Sequence, residues 1–139
     1  MDQTKAQVEA ALAVAGTESS MLKNSFSYSD PDTGYGVSVL YGDKDTVTSK
    51  TLIYSDRKDL AFLCTKKVTQ DQADKITDGM TYDQVKTALG GDGIETSSTQ
   101  IVFEGNKLSS IFIWVNPDGS MIQVVFGTDG TSNDATFFE

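Results

Sequence analysis

The sequence predicts an α+β chain of two tandem repeats, each a helix plus a four-stranded antiparallel sheet, with the two sheets joined into one concave surface. Three observations predict this architecture. Residues 4–12 match residues 81–89 in register at Thr, Gln, Val, Ala and Leu. The stretch 26–34 matches 112–119 with one residue inserted. In both places the hydrophobic period changes from that of a helix to that of a strand, which is typical of a duplicated supersecondary unit.

Each repeat opens with a helix that the sequence marks at its first turn. A threonine in the N-cap position is followed three residues later by a glutamine, in Thr4 with Gln7 and in Thr81 with Gln84. This capping box satisfies the free amide groups of the first helical turn. Apolar residues then follow at helical spacing, namely Val8, Ala11 and Leu12 in the first helix and Val85, Ala88 and Leu89 in the second. We therefore expect each helix to turn one narrow apolar stripe toward a core.

Four strands are predicted after each helix, because β-branched and aromatic residues alternate between turn signals. The expected strands lie near residues 20–23, 25–29, 35–42 and 47–54 in the first repeat, and near 99–104, 108–115, 121–127 and 135–138 in the second. Two hairpin turns combine an Asp or Asn, a proline and a glycine, at residues 30–34 and 116–119. Their geometry predicts four cross-strand pairs: Trp114 with Ile122, Phe112 with Val124, Tyr28 with Val37, and Phe26 with Val39.

The predicted boundaries are a first repeat at residues 1–54, a connection at 55–67 and a second repeat at 68–139. A helix-like run from Thr69 to Asp78 precedes the second capping box, whereas the chain begins at the position equivalent to Asp78. We therefore expect the first repeat to lack its first helix. An N-terminal segment carrying that helix and an export signal is the corresponding hypothesis.

Composition and charge exclude several classes of function. The chain has 139 residues, with 20 acidic against 11 basic residues and a net charge of -9. Such a charge repels nucleic-acid phosphates and anionic lipid headgroups, so we expect neither a nucleic-acid partner nor a membrane-surface partner. No apolar run is long enough to cross a bilayer, so membrane insertion is not expected either.

The residues that catalysis and metal binding commonly use are scarce. Histidine is absent, which excludes imidazole as a general base or a metal ligand. Cys64 is the one cysteine, and its apolar neighbours indicate a buried packing residue. The carboxylate pairs Asp30 with Asp32 and Asp43 with Asp45 stand in turns, where Asp is expected for backbone reasons. The sequence therefore predicts a non-enzymatic protein with no metal site and no cofactor.

An apolar outer face on the second sheet is the first candidate site. Alternation along the predicted hairpin places five apolar residues on the face opposite the helix: Ile111, Ile113, Val115, Met121 and Val125. So much apolar surface is costly to leave in water, since each such side chain gains about 1.5–3 kcal/mol on burial. Something therefore covers this face. Either a protein partner or a second copy in a homodimer binds there, or the connection around residues 60–63 folds over it.

An acidic hairpin is the second candidate site. Residues 30–34 form a stiff turn that carries Asp30 and Asp32 and is followed by Tyr35. A carboxylate presented on such a turn can insert into a basic cleft of a partner protein. The alternative is that the two aspartates serve only the geometry of the turn.

One motif resembles a known family. Gly79-Met80-Thr81, followed by Gln84-Val85 and Gly90, closely resembles the signature of the β-lactamase inhibitory protein family. The single-copy outer-membrane assembly lipoproteins, which have a related fold, show a similar motif. The resemblance implies two repeats with one joined sheet surface, and a first-repeat hairpin that plugs an enzyme's active site through an aspartate. The matching aspartate here is Asp32, with Asp30 next.

The resemblance also implies a function. We expect a protein-binding module that is secreted or lies on the cell surface, outside the cytoplasm. It implies a protein partner, a β-lactamase or another cell-envelope protein, and a role as an enzyme inhibitor. The alternative is a structural or assembly module of a surface protein or lipoprotein without inhibitory activity. Two features depart from the family pattern. That family's inhibitor has a disulfide in each repeat and an aromatic residue in a second-repeat loop, whereas this chain has one cysteine and residues 116–119 include no aromatic residue.

Overall fold

The computed structural model describes residues 1–139. The helices are α1 (Lys5–Leu12), α2 (Gln70–Ala73) and α3 (Tyr82–Leu89), and 3₁₀ turns occur at Arg57–Leu63 and Val102–Glu104. The first four strands are β1 (Thr17–Glu18), β2 (Ser25–Ser29), β3 (Gly36–Tyr41) and β4 (Val47–Ile53). The last four are β5 (Ile94–Ile101), β6 (Lys107–Val115), β7 (Met121–Phe126) and β8 (Ser132–Phe138).

The prediction of two helix-plus-four-stranded repeats with sheets joined into one concave surface is wrong. The strands belong to one eight-stranded antiparallel sheet whose order follows the chain from β1 to β8. That sheet is open, because β1 and β8 stand at its two ends. The physical reason lies in the balance of elements. Hairpin turns pair most strands with their sequence neighbours, while the helices are at most 8 residues long and α1 buries none of its residues.

Several element boundaries also differ from the predictions. The first strand is β1 at Thr17–Glu18, before the expected residues 20–23, because the Ser19 hydroxyl accepts hydrogen bonds from the amides of Met21 and Leu22 and bends that stretch into a turn. Strand β5 ends at Ile101, since the chain then makes a 3₁₀ turn that stops at Gly105 with φ 74°. The helical run expected from Thr69 to Asp78 forms an α-helix only over α2.

The chain divides into two compact units, Met1–Ser55 and Asp56–Glu139. In the first unit, α1 lies near a small core formed by Tyr28, Val39, Tyr41 and Val47. The hydroxyl groups of Tyr28 and Tyr41 hydrogen-bond each other at 2.8 Å inside this core. Most of the stretch that we expected to be a connection, residues 56–67, belongs to the second unit.

The second unit has a larger core, which contains residues of α2 and α3 as well as of the strands. Its buried members are Val68, Ala73, Ile76, Val85, Leu89, Trp114, Ile122, Val124 and Phe126. The indole nitrogen of Trp114 donates a hydrogen bond to the Gly91 carbonyl at 2.8 Å. Gly93 lies so close to the indole ring that an added Cβ would stand 2.6 Å from it, so glycine is required there. The two helices and the sheet of this unit are therefore packed around one tryptophan.

The predicted helix starts are confirmed, but the apolar stripe of α1 is not fully buried. Both capping boxes are present, at Thr4 with Gln7 and at Thr81 with Gln84. Helix α3 ends at Gly90 with φ 82°, as the glycine predicts. Helix α3 buries Val85 and Leu89, whereas α1 buries no residue and leaves Leu12 44% exposed. The stripe on α1 therefore faces a core that is only partly closed.

The predicted hairpin registers are confirmed. In the second unit, Trp114 pairs with Ile122 and Phe112 with Val124. In the first unit, Tyr28 pairs with Val37 and Phe26 with Val39. The turn residues fix this register, because Gly119 and Gly34 both adopt the positive φ angles that close the two turns. The registers place the predicted site residues on defined faces of each unit.

Candidate functional site

The acidic hairpin at residues 30–35 joins β2 to β3 and is held by its own hydrogen bonds. One carboxylate oxygen of Asp30 accepts from the amides of Asp32 and Thr33, at 2.8 and 3.0 Å. The Asp30 carbonyl accepts from the Gly34 amide at 2.8 Å, and the Asp30 amide donates to the Tyr35 carbonyl at 2.8 Å. Pro31 fixes a further backbone angle within the turn. The hairpin is therefore a preorganised turn.

The two aspartates of the hairpin have different environments. The carboxylate of Asp30 is engaged inside the turn, and the amides of Thr33 and Asp32 hold its pKa below the ordinary value. The side chain of Asp32 is exposed at the tip, where its amide rather than its carboxylate is used within the turn. Asp30 thus builds the hairpin and Asp32 is presented by it.

Tyr35 closes the hairpin at the start of the returning strand. Its amide donates to the Thr33 hydroxyl at 3.3 Å, and its side chain is half-buried. Tyrosine is enriched in protein-binding surfaces relative to the rest of a protein's surface. Asp32 and Tyr35 therefore belong to the same hairpin, with Asp32 exposed and Tyr35 half-buried.

The apolar face of the second unit is largely covered by the chain itself. Ile113 and Val115 are each 1% exposed and Met121 is 9% exposed. The 3₁₀ turn Arg57–Leu63 packs against β6 and buries Leu60. Beyond this turn, the Cys64 sulfur accepts a hydrogen bond from the Val115 amide at 3.2 Å. The sequence left open whether a partner or the connection covers this face. For these three residues, the structure shows that the connection covers it.

Ile111 and Val125 remain half-buried and pair directly with each other across β6 and β7. Their neighbours in the register are polar, because Ser97 pairs with Ile111 and Asp134 pairs with Val125. The open part of the predicted face is thus a small apolar strip with a polar border. Little apolar area remains there for the homodimer predicted through this face.

Cys64 is half-buried, so the prediction that it is a buried residue is confirmed only in part. Burial raises the pKa of its thiol, which keeps the sulfur protonated at neutral pH and therefore weakly nucleophilic. The exposed apolar residues nearby, Phe62 at 82% and Leu63 at 50%, point away from the core. Cys64 thus has the environment of a packing residue.

A surface that the sequence predictions did not identify as a site lies in the first unit, between α1 and the strands. A cleft of about 430 Å³ is lined by residues of α1 and of the β2–β3 hairpin, including Leu12, Val14 and Tyr28. A second cleft of about 280 Å³ shares Leu12 and Val37 with the first. The signal that could have located these clefts is the apolar stripe of α1, because Leu12 lines both of them.

No group of three or more His, Cys, Asp or Glu side chains is placed so that it could hold a metal ion. None of the helices has the length and apolar character needed to span a bilayer.

Comparison with known proteins adds no relative. No known protein family matches this sequence, and no curated protein matches it significantly. The resemblance to the β-lactamase inhibitory protein family therefore depends on the motif at residues 79–90 and on the internal similarity of the sequence, and no relative supports it.

Proposed function

We propose that this chain is a non-enzymatic protein-binding module that acts outside the cytoplasm and presents the acidic hairpin to a protein partner. The observation that carries the proposal is the division of labour between Asp30 and Asp32. The carboxylate of Asp30 holds the turn through two amides, and the exposed side chain of Asp32 stands at the tip. Because the backbone that carries Asp32 is already ordered, the hairpin loses little backbone entropy on binding, which favours insertion of this carboxylate into a basic cleft.

The electrostatics of the carboxyl groups support a binding role over a catalytic one. Five carboxyl groups have a pKa below the ordinary value, each through a lysine ammonium or through amide and hydroxyl donors: Glu9, Asp30, Asp92, Asp118 and Asp129. A general acid at neutral pH needs the opposite shift. These five groups are therefore ionised at neutral pH, and none of them is poised as a general acid there.

The net charge of -9 supports the same proposal at longer range. A strongly acidic protein is steered toward basic surfaces, and this steering weakens as salt screens the charges. An enzyme with a basic active-site cleft is the partner class that fits both the charge and the hairpin. A β-lactamase is the specific partner that the family resemblance suggests, and the location outside the cytoplasm depends on that resemblance alone.

The test of inhibition is a β-lactamase assay. A class A β-lactamase would be mixed with micromolar amounts of the protein, of Asp32→Ala and of Asp43→Ala, and hydrolysis of a chromogenic cephalosporin followed. We expect inhibition by the protein and by Asp43→Ala, and a loss of at least about tenfold in potency for Asp32→Ala. Asp43 is the matched control because it is an exposed aspartate in another turn of the same unit.

Absence of inhibition would remove the inhibitor role and leave the wider binding proposal to a second experiment. In that experiment, each of the same three proteins is immobilised and exposed to envelope extract and culture fluid of the source organism. Retention of a partner that Asp32→Ala releases supports recognition through the hairpin. Retention that is equal for all three proteins would contradict it and favour the structural or assembly role.

A further inference from the structure

Strand β8 stands at an open edge of the sheet, and the chain itself pairs with the start of that edge. The Gly79 amide donates to the Ser132 carbonyl, and the Ser132 amide donates to the Met80 carbonyl, both at 2.8 Å. An antiparallel bridge between Thr81 and Thr131 continues this pairing. The outer edge of β8 therefore binds an antiparallel extended segment where the chain supplies one.

The backbone groups that β8 leaves open follow from the register. The Gly127 amide donates to the Thr131 carbonyl at 2.8 Å, and every second residue of β7 before Gly127 likewise directs its backbone groups toward β8. Their partners on β8 use their N–H and C=O groups in the ladder, namely Asp134, Thr136 and Phe138. The residues between them, Ala135 and Phe137, therefore direct their N–H and C=O groups outward. No other segment forms a backbone hydrogen bond with either residue.

The open part of β8 lacks the features that usually protect a sheet edge, which are lysine, proline, a bulge or a covering segment. Residues 134–138 contain neither lysine nor proline. The bulge of this strand pair and the pairing of residues 79–81 both lie at the start of β8. The outward N–H and C=O groups of Ala135 and Phe137 are complementary to another extended peptide backbone. This complementarity fixes the class of the occupant.

A cleft lies beside the open edge, on the face of the sheet that carries the core. Phe137 pairs with the buried Ile122 and packs against the core cluster. Phe137 and Val68 line a cleft of about 440 Å³, together with polar residues that include Lys67, Thr69 and Gln70. A strand added to β8 places the side chain opposite Phe137 on this same face, next to the cleft. The edge thus supplies backbone recognition, and the cleft supplies a place for one side chain.

The charge of the protein favours a basic partner over a second copy of the chain. Two copies that each have a net charge of -9 repel one another. At the open edge the Asp134 side chain is exposed, and its hydrogen bond from the neutral Thr136 hydroxyl, at 3.3 Å, leaves the negative charge in place. Opposite charges on directly paired residues of neighbouring strands attract each other. A lysine or arginine opposite Asp134 therefore suits this edge.

We propose that the outer edge of β8 at residues 134–138 binds an extended, basic segment of a partner protein, which adds one antiparallel strand to the sheet. The segment places an apolar side chain opposite Phe137, beside the cleft, and a lysine or arginine three positions later, opposite Asp134. In this mode of recognition, backbone hydrogen bonds give affinity and side-chain pockets give specificity. The site lies in the second unit, so the inference goes beyond the function proposed for Asp32.

The first experiment titrates the capped peptide Thr-Leu-Thr-Val-Lys-Thr, whose leucine is designed to lie opposite Phe137, into the isotope-labelled full-length protein. Nuclear magnetic resonance follows the binding. We expect shift changes centred on residues 134–138. At saturation, the Ala135 and Phe137 amides should exchange with solvent at least about tenfold more slowly, because they donate to the peptide. Replacement of the peptide leucine by serine should weaken binding at least about tenfold, because it leaves the apolar wall of the cleft uncovered.

A charge exchange in the peptide tests its basic character. Replacement of the peptide lysine by glutamate should weaken binding at least about threefold, and this difference should shrink as salt is added. Asp134→Asn should reduce the difference between the two peptides. Equal binding of both peptides at low salt would contradict the proposed basic character of the segment.

Methylation of peptide amides tests the backbone pairing without altering the protein. In the proposed register, the amides of the peptide leucine and valine donate to β8, whereas the amide of the threonine between them faces solvent. Methylation of the leucine amide should weaken binding at least about tenfold, and methylation of that threonine amide should change it by less than about twofold. Equal effects of the two methyl groups would contradict strand addition.

A substitution in the protein tests the same pairing from the other side. Ala135→Pro removes an outward N–H group and leaves the ladder to β7 intact, since proline is tolerated on edge strands where the N–H faces solvent. It should abolish binding, while Trp114 fluorescence reports that the second unit stays folded. Asp32→Ala is the control and should bind the peptide as the wild-type protein does.

Two results would overturn the proposal. The first is the absence of shift changes in residues 134–138 at millimolar peptide. The second is a protein that sediments as a dimer whose Ala135 and Phe137 amides are already protected from exchange, because a second copy would then be the occupant.

Discussion

Asn116 shows how one buried side chain fixes the position of a whole segment. It is 1% exposed, and its amide group accepts from the Val68 amide and donates to the Val68 carbonyl, both at 2.8 Å. The same amide nitrogen donates to the Ser120 hydroxyl at 2.8 Å. The side chain therefore acts like a short strand that pairs with residue 68. In this way the hairpin between β6 and β7 anchors the start of the α2 segment.

We predict that Asn116→Ala lowers the free energy of unfolding by about 2–4 kcal/mol, because it leaves buried backbone groups of Val68 without partners. The measurement is chemical denaturation followed by circular dichroism. Asn133→Ala serves as the control, since Asn133 is exposed on β8 and should change stability by less than about 0.5 kcal/mol. Equal effects of the two substitutions would contradict the role assigned to the buried amide.

Tyr41 makes the stability of the first unit depend on pH in the alkaline range. Burial and the hydrogen bond with Tyr28 raise the pKa of Tyr41 above its ordinary value. Above about pH 10 an unfolded tyrosine loses its proton while the folded Tyr41 keeps its own, so the unfolded state binds fewer protons. The contribution of Tyr41 to the free energy of unfolding is therefore fully present below about pH 10 and declines as the pH rises further.

We predict that the unfolding free energy falls between about pH 10 and about pH 11, and that Tyr41→Phe makes this fall shallower. Denaturant titrations across this pH range measure the slope. Burial also raises the pKa of Tyr82, so Tyr82→Phe should reduce the slope of the second unit by the same reasoning. A slope that neither substitution alters would show that these phenols do not titrate as the structure implies.

At the scale of elements, the 3₁₀ turn at Arg57–Leu63 changes the character of one sheet face. Leu60 is 8% exposed and packs with the turn against β6, while Phe62 from the same turn is 82% exposed. Cys64 follows immediately, and its sulfur is held by the Val115 amide. A short turn thus buries apolar strand residues that the sequence analysis had assigned to a candidate interface.

We predict that Leu60→Ala destabilises the second unit by about 2–4 kcal/mol and accelerates modification of Cys64 by a thiol reagent. The acceleration arises because a loosened turn exposes the sulfur and relieves the burial that raises its pKa. Phe62→Ala, in which a mostly exposed side chain is removed, should leave the modification rate unchanged. Equal modification rates in both variants would contradict the role of the turn as a cover.

Local turn chemistry made part of the fold predictable. The prolines and glycines of residues 30–34 and 116–119 fix the hairpins, so the pairs Trp114 with Ile122 and Tyr28 with Val37 followed from the sequence. The acidic hairpin was identified for the same reason. Strand β5 was placed too late, because its Ser- and Thr-rich sequence shows no clear alternation of apolar and polar residues.

The rest required tertiary contacts that no local pattern encodes. The helical spacing of Val8 and Leu12 predicts a buried stripe, but burial depends on a cover that lies in another segment. Ile113 and Val115 were assigned to an interface because nothing local shows which way residues 57–63 fold. The clefts beside α1 were missed for the same reason, since the sequence alone does not show that Leu12 stays exposed.

At the scale of the whole molecule, the two compact units differ in how completely their cores are closed. The core cluster of the second unit contains nine buried residues, and that of the first contains four. Larger closed cores resist local opening more strongly, because more apolar area must be exposed to open them. The unit Asp56–Glu139 should therefore be the more stable of the two.

We predict that backbone amides in the centre of β6 and β7 exchange with solvent deuterium at least about tenfold more slowly than those of β2 and β3 under native conditions. Hydrogen exchange followed by nuclear magnetic resonance measures both sets in one sample. Asn116→Ala should speed exchange in β6 and β7 more than in β2 and β3. Uniform protection across both sets would show that the molecule opens as a single cooperative unit.

Trp114 is the one tryptophan of the chain, and it lies 1% exposed in the core of the second unit. Its intrinsic fluorescence is therefore a site-restricted optical probe that monitors melting of residues 56–139 and is blind to the rest. Calorimetry records heat from every part of the chain. A thermal transition seen by calorimetry at a temperature where the emission spectrum stays constant would belong to residues 1–55. The wild-type protein can therefore distinguish the unfolding of its two units without any attached dye.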